Sequence, residues 1–96
     1  RTMRVRYTPQ AKSDLAEIFS FIARDNPAAA RRVVADIRRD IMLVSDNPGI
    51  GRPGRVAGTR ELVISQLPYI AAYRQQSAGI DVLAVLHTAR DWPQSL

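Results

Sequence analysis

Five arginines and one histidine carry most of the chemistry this chain could perform: Arg52, Arg55, Arg60, Arg74, Arg90 and His87. Cleaving an RNA phosphodiester needs a base for the 2′-hydroxyl, cations on the phosphorane and an acid for the 5′-oxygen. Arginine forks supply the cations. His87 is the only histidine, and imidazole titrates near neutrality. Glu61, beside Arg60, is a candidate base. Three of these arginines fall in Gly49–Arg60, which holds four of the chain's five glycines and no acid. A glycine-rich segment loses much conformational entropy on ordering, so this one reads as a cationic contact loop.

Blander roles compete for the same residues. A lone histidine at a strand end is more often structural than catalytic. Arg74 is placed to pair across strands with Glu61 or Asp81. Arg90-Asp91-Trp92 reads as a stacking and salt-bridge clasp that anchors the tail. Arg31, Arg32, Arg38 and Arg39 read as a solvated helix face.

Other chemistries lack residues. One histidine and no cysteine cannot build a zinc site, and no acidic run has calcium or magnesium spacing. No Walker or dinucleotide glycine fingerprint occurs, and no Ser-His-Asp arrangement can be argued. Without cysteine there is neither a disulfide framework nor a thiol nucleophile, which fits a reducing cytoplasm.

The 96 residues make one domain spanning 1–96. Met3 is expected to be the native start, with Arg1-Thr2 a cloning remnant. No secretory signal is visible, and no apolar run reaches the roughly 20 residues that span a bilayer. The net charge is +5, and Lys12 is the only lysine among 14 basic residues. That excess suits polyanionic partners, although an arginine-rich proteome would produce part of it.

The elements that must position these residues can be read from periodicity. Met3–Tyr7 alternates apolar and basic residues as a short strand. Thr8-Pro9 starts a helix running to about Arg24, with Ala11, Leu15, Ile18, Phe19 and Ile22 on one face and Asp14 away from it. Asn26-Pro27 starts a second helix ending near Ser45, antiparallel to the first. Three strands follow: Arg60–Leu67, Tyr69–Gln76 and Ile80–His87. In the last, Ile80, Val82, Ala84 and Leu86 face one way, and Asp81, Leu83, Val85 and His87 the other. The expected fold is α+β in the order β-α-α-β-β-β. A helical hairpin packs on one face of a mostly antiparallel four-stranded sheet. The other face is expected to be open, so that Arg60, Arg74 and His87 can gather there.

Ordered short pieces over about 90 residues resemble the RelE/ParE superfamily of toxins from type II toxin–antitoxin modules. They are Tyr7-Thr8-Pro9-Gln10-Ala11, Asn47-Pro48-Gly49-Ile50-Gly51-Arg52, Gly58-Thr59-Arg60-Glu61-Leu62, Tyr73-Arg74, and Val85 to Pro93 with His87 and Arg90. The resemblance implies a small cytoplasmic toxin of the plasmid-stabilization type, neutralised by a cognate antitoxin, with operator DNA bound only through that antitoxin and no membrane partner.

It also implies two targets. RelE-like members cleave mRNA on the ribosome without metal or cofactor, and this reading is favoured here. It would make the chain an endoribonuclease with Arg60 and Arg74 on phosphate, His87 as acid or base, Arg52 and Arg55 steering RNA, and Arg90 auxiliary. ParE-like members are not enzymes and inhibit DNA gyrase. That alternative draws on two absences: the nuclease lysine pair, and a stacking tyrosine near the C-terminus, where Thr88 stands. A third reading is a non-toxic relic of the fold.

Overall fold

A capping side chain followed by proline starts both helices. The computed structural model describes residues 2–89, 92–93 and 96. Thr8 Oγ1 accepts the Ala11 N–H at 3.2 Å and opens α1 (Pro9–Ala23). Asn26 Oδ1 accepts the Ala29 N–H at 3.0 Å and opens α2 (Pro27–Asp46). These bonds occupy amides that have no partner within the helix, while proline has no N–H to leave bare.

Among the described residues five strands, not four, form the sheet: β1 (Val5–Tyr7), β2 (Arg52–Pro53), β3 (Arg60–Val63), β4 (Tyr69–Gln76) and β5 (Gly79–His87). Their spatial order is β1-β5-β4-β3-β2. β1 lies parallel to β5, and the other neighbours are antiparallel. The added strand, β2, comes from the Gly/Arg loop itself. Two residues pair with β3, too short a run for periodicity to reveal.

The helical hairpin covers one sheet face. Leu15, Ile37, Ile41 and Val44 meet Leu62, Ile64, Tyr73, Ile80 and Val82, all at most 8% exposed. Burying each such aliphatic side chain stabilises the fold by about 1.5–3 kcal/mol before entropy is counted.

The opposite face is not open. Ile70, Ala72, Ala84 and Leu86 are buried there. Trp92, Pro93 and Leu96 of the tail line a cavity of about 360 Å³ with Ala84 and Leu86. The Gly/Arg loop covers the rest, since Glu61 reaches it from this face.

One irregularity decides which side chains meet. Tyr73 pairs with Val82, but Ala72 pairs with Ala84, so Leu83 is an extra residue on β5. Such a β-bulge reverses the facing of everything beyond it. Val85 and His87 therefore join the helix side, and Ala84 and Leu86 turn away. Strict alternation through Ile80–His87 predicted the reverse.

The bulge lies where β1 runs out. β1 pairs with β5 only as far as Val82. From there α1 takes over. The Thr8 N–H donates to Val82 O at 3.0 Å, Thr8 Oγ1 donates to Leu83 O at 3.1 Å, and the Val85 N–H donates to Asp14 Oδ2 at 2.9 Å. Asp14 is 4% exposed and also accepts from Gln10 Nε2 at 2.8 Å. It was expected away from the apolar stripe. Its position three residues after Ala11 and beside Leu15 places it at the edge of that stripe, and this was the available signal.

Candidate functional site

The Gly/Arg loop is built around one buried carboxylate. Glu61 on β3 is 2% exposed. Its Oε1 accepts from Arg52 Nε at 3.2 Å and Arg52 Nη2 at 3.0 Å. Its Oε2 accepts the Arg55 N–H at 2.8 Å and lies 3.7 Å from Arg55 Nε. Both arginine side chains remain about half exposed, at 52% and 51%. Arg55 also lies over Trp92, with its guanidinium carbon 4.1 Å from the ring centroid.

Tyr73 fixes the start of the loop. Its hydroxyl donates to Pro48 O at 2.7 Å and accepts the Gly51 N–H at 2.9 Å. A Cβ on Gly51 would stand 2.7 Å from that hydroxyl and 2.9 Å from Glu61 O, so only glycine fits. Arg60 Nη1 donates to Gly51 O at 2.7 Å. Within the loop, Thr59 Oγ1 donates to Val56 O at 2.6 Å and the Gly54 N–H donates to Thr59 O at 2.8 Å. This clamp is invisible in the sequence, because its two partners lie 25 and 22 residues away.

Burial lifts the Tyr73 phenol above its ordinary 10.0, while the Gly51 bond and Arg60 pull it back. Tyr7 is lifted by burial against a downward pull from Arg38, and Tyr69 by burial alone. Each raised value means the folded chain keeps its phenolic proton to higher pH than the unfolded chain. That stability is complete below about pH 10 and is lost as the pH rises through the folded values. Urea midpoints should hold near pH 8 and fall towards about pH 11. Tyr73→Phe should soften the alkaline fall, and an equally steep fall in that variant would exclude Tyr73 as a contributor.

The expected gathering of Arg60, Arg74 and His87 does not form. Arg60 pairs with Tyr73 and shares the helix-side face with it. Arg74 pairs with Asp81 on the opposite face, where its Nε lies 3.8 Å from the Cβ direction of Gly58. His87 pairs with Tyr69, back on the helix side and five residues from Arg74's position on β4. That offset is roughly 16 Å of strand.

The His87 ring meets Tyr69 edge-on, with centroids 5.4 Å apart, and its Nδ1 accepts the Ala89 N–H at 3.1 Å. It lines a shallow groove of about 180 Å³ with Ile18, Phe21 and Glu17 of α1. The anticipated partners of Arg74 are taken: Asp81 by Arg6 at 3.0 Å, and Glu61 by Arg52 and Arg55. Arg90 and Asp91 of the expected tail clasp lie outside the described residues, but Trp92 does stack on an arginine, namely Arg55.

Chemically, then, the described residues offer a buttressed cationic loop and a separate, exposed histidine. They show no group of three or more metal-ligating side chains, and no helix long and apolar enough to cross a membrane.

Comparisons with known proteins agree with this architecture. Residues 5–92 match the family model described as the ParE toxin of the type II toxin–antitoxin system, parDE. A Sinorhizobium fredii protein described as "Putative toxin Y4kP" is 44% identical over 93 residues, covering 97% of this chain and 96% of its own. A solved structure, "Chromosomal ParDE TA system from P. aeruginosa", superposes with a TM-score of 0.81 at 28% identity, covering 90% of this chain and 96% of that one.

Proposed function

The chain belongs to the ParE toxin family of type II toxin–antitoxin systems, and from that premise we propose that it arrests growth as a non-enzymatic inhibitor of DNA gyrase held in check by a cognate antitoxin. The observation that carries this reading is the separation of Arg74 from His87 across the sheet, with Glu61 committed to the loop. Message cleavage, the reading favoured on sequence, needs cations, an acid and a base within reach of one phosphate. Here Arg60 is bonded to Gly51 O, Glu61 is bonded to two arginines, and His87 stands beside α1. A protein that inhibits by binding needs only a firm, complementary surface. Arg52 and Arg55 on their Glu61 support provide one.

Purified protein added to gyrase with relaxed plasmid should block supercoiling or trap cleaved DNA at near-stoichiometric amounts. Unimpaired supercoiling at a large excess would reject the proposal. In the same way, primer extension on mRNA from arrested cells should show intact messages. New cleavage ends that vanish in His87→Ala would instead restore the nuclease reading.

A further inference from the structure

We propose that Arg52 and Arg55, set in place by Glu61 and Trp92, form a preorganised site for single-stranded nucleic acid, with a phosphate on Arg52 and a base against Arg55. This goes beyond gyrase inhibition and does not depend on it. Three observations support it.

First, the two guanidiniums are fixed rather than free. Arg52 reaches Glu61 Oε1 through two nitrogens, and Arg55 is held through its backbone N–H, its Nε and its stack on the indole. Long basic side chains normally lose rotamer freedom when they bind a ligand, and here much of that cost is met on folding.

Second, both remain half exposed although their partner carboxylate is buried. The pair therefore keeps unused donors directed at solvent. Among the described residues two cations share one anion, which leaves net positive charge there.

Third, the planar Arg55 guanidinium has the indole 4.1 Å from its central carbon and Glu61 near its Nε, and about half of the side chain is left to solvent. A nucleobase stacks on such a plane, and the phosphodiester beside it suits a second arginine fork. An acidic peptide would use the charge but not the plane, which is why nucleic acid is the favoured ligand.

Glu61 and Trp92 are positioning residues in this scheme. A one-methylene retreat of the carboxylate should disturb the arginines without changing net charge.

The test is fluorescence anisotropy of a labelled 12-nucleotide single-stranded DNA with the full chain over a salt series, and thermal melting of every variant. Wild type should bind with a clear salt dependence. Arg52→Ala should weaken binding on the order of tenfold and make the salt slope shallower by roughly 0.7, the value for one lost phosphate contact on a single strand. Arg55→Lys, Trp92→Leu and Glu61→Asp should each weaken binding several-fold with the slope retained, because charge is kept while plane or placement is lost. Four results would overturn the proposal: no binding by wild type, equal binding by Arg55→Lys and wild type, a slope unmoved by Arg52→Ala, or tighter capture of polyglutamate than of the oligonucleotide. Gyrase is absent from the assay, so its outcome is separable from that of the supercoiling experiment.

Discussion

Asp14→Ala should lower the unfolding free energy by about 2–3 kcal/mol, although the substitution removes no apolar contact. The carboxylate accepts the Val85 N–H at 2.9 Å and the Gln10 amide at 2.8 Å from a position 4% exposed. Alanine leaves the Val85 N–H buried with no acceptor, and an unsatisfied buried donor costs more than the net worth of the bond it made. Val85 lies beyond the last β1 pairing, so no strand can step in. An asparagine side chain keeps one acceptor oxygen, and Asp14→Asn should therefore lose less than Asp14→Ala. Urea denaturation of both variants checks the order. Equal losses, or a loss below about 0.5 kcal/mol for alanine, would show that Val85 finds another partner.

The second large effect comes from removing cations. Arg52→Ala combined with Arg55→Ala should destabilise the fold by about 3–5 kcal/mol, because it strands a buried carboxylate. Glu61 would keep only the Arg55→Ala backbone N–H on a side chain 2% exposed. Either arginine change alone leaves one ion pair and should cost far less, on the order of 1 kcal/mol, as suits half-exposed partners. The diagnostic is rescue. Adding Glu61→Gln to the double variant removes the stranded charge and should recover most of the loss. A triple variant no more stable than the double would mean that the damage lies in loop packing and not in the unpaired charge.

These two carboxylates also mark how far the sequence could be read. The helix starts were plain, because Thr8-Pro9 and Asn26-Pro27 are local signals whose cause lies within four residues. Within β3 and β4, alternation groups Leu62 with Ile64 and Ala71 with Tyr73, and these residues do share the core side. The family was legible for a related reason: its short pieces recur in a fixed order along the chain, as the match over residues 5–92 bears out.

What failed to show was long-range. Asp14 and Val85 are 71 residues apart, and no local pattern distinguishes a buried aspartate from a solvated one at the edge of a stripe. The expected gathering of Arg60, Arg74 and His87 supposes regular strands and an open face. For His87 the alternation breaks at Leu83, because the pairing of β1 with β5 ends at Val82 and α1 supplies the next acceptor, while Arg60 alternates with Leu62 and so lies on the helix side whatever β5 does. Glu61 looked like a base because it sits beside Arg60 in sequence. In space Arg60 turns to the other face and bonds Gly51 O, leaving Glu61 to Arg52 and Arg55.

The bulge at Leu83 bears on how such a scaffold can change its chemistry over evolutionary time. Point substitutions alter which side chain stands at a position, but they cannot move His87 between faces. A register change can. With Leu83 drawn into the ladder in regular alternation, His87 moves to the face of Arg74 and Val85 turns away from Asp14, whereas deleting Leu83 would leave both on their present faces. Within this fold, the route from a binding surface towards an acid–base site runs through closing the bulge in one strand, and it breaks the bond that holds α1 to the sheet edge. A lineage taking that step would need a new acceptor near Asp14's position before it gained anything from the histidine.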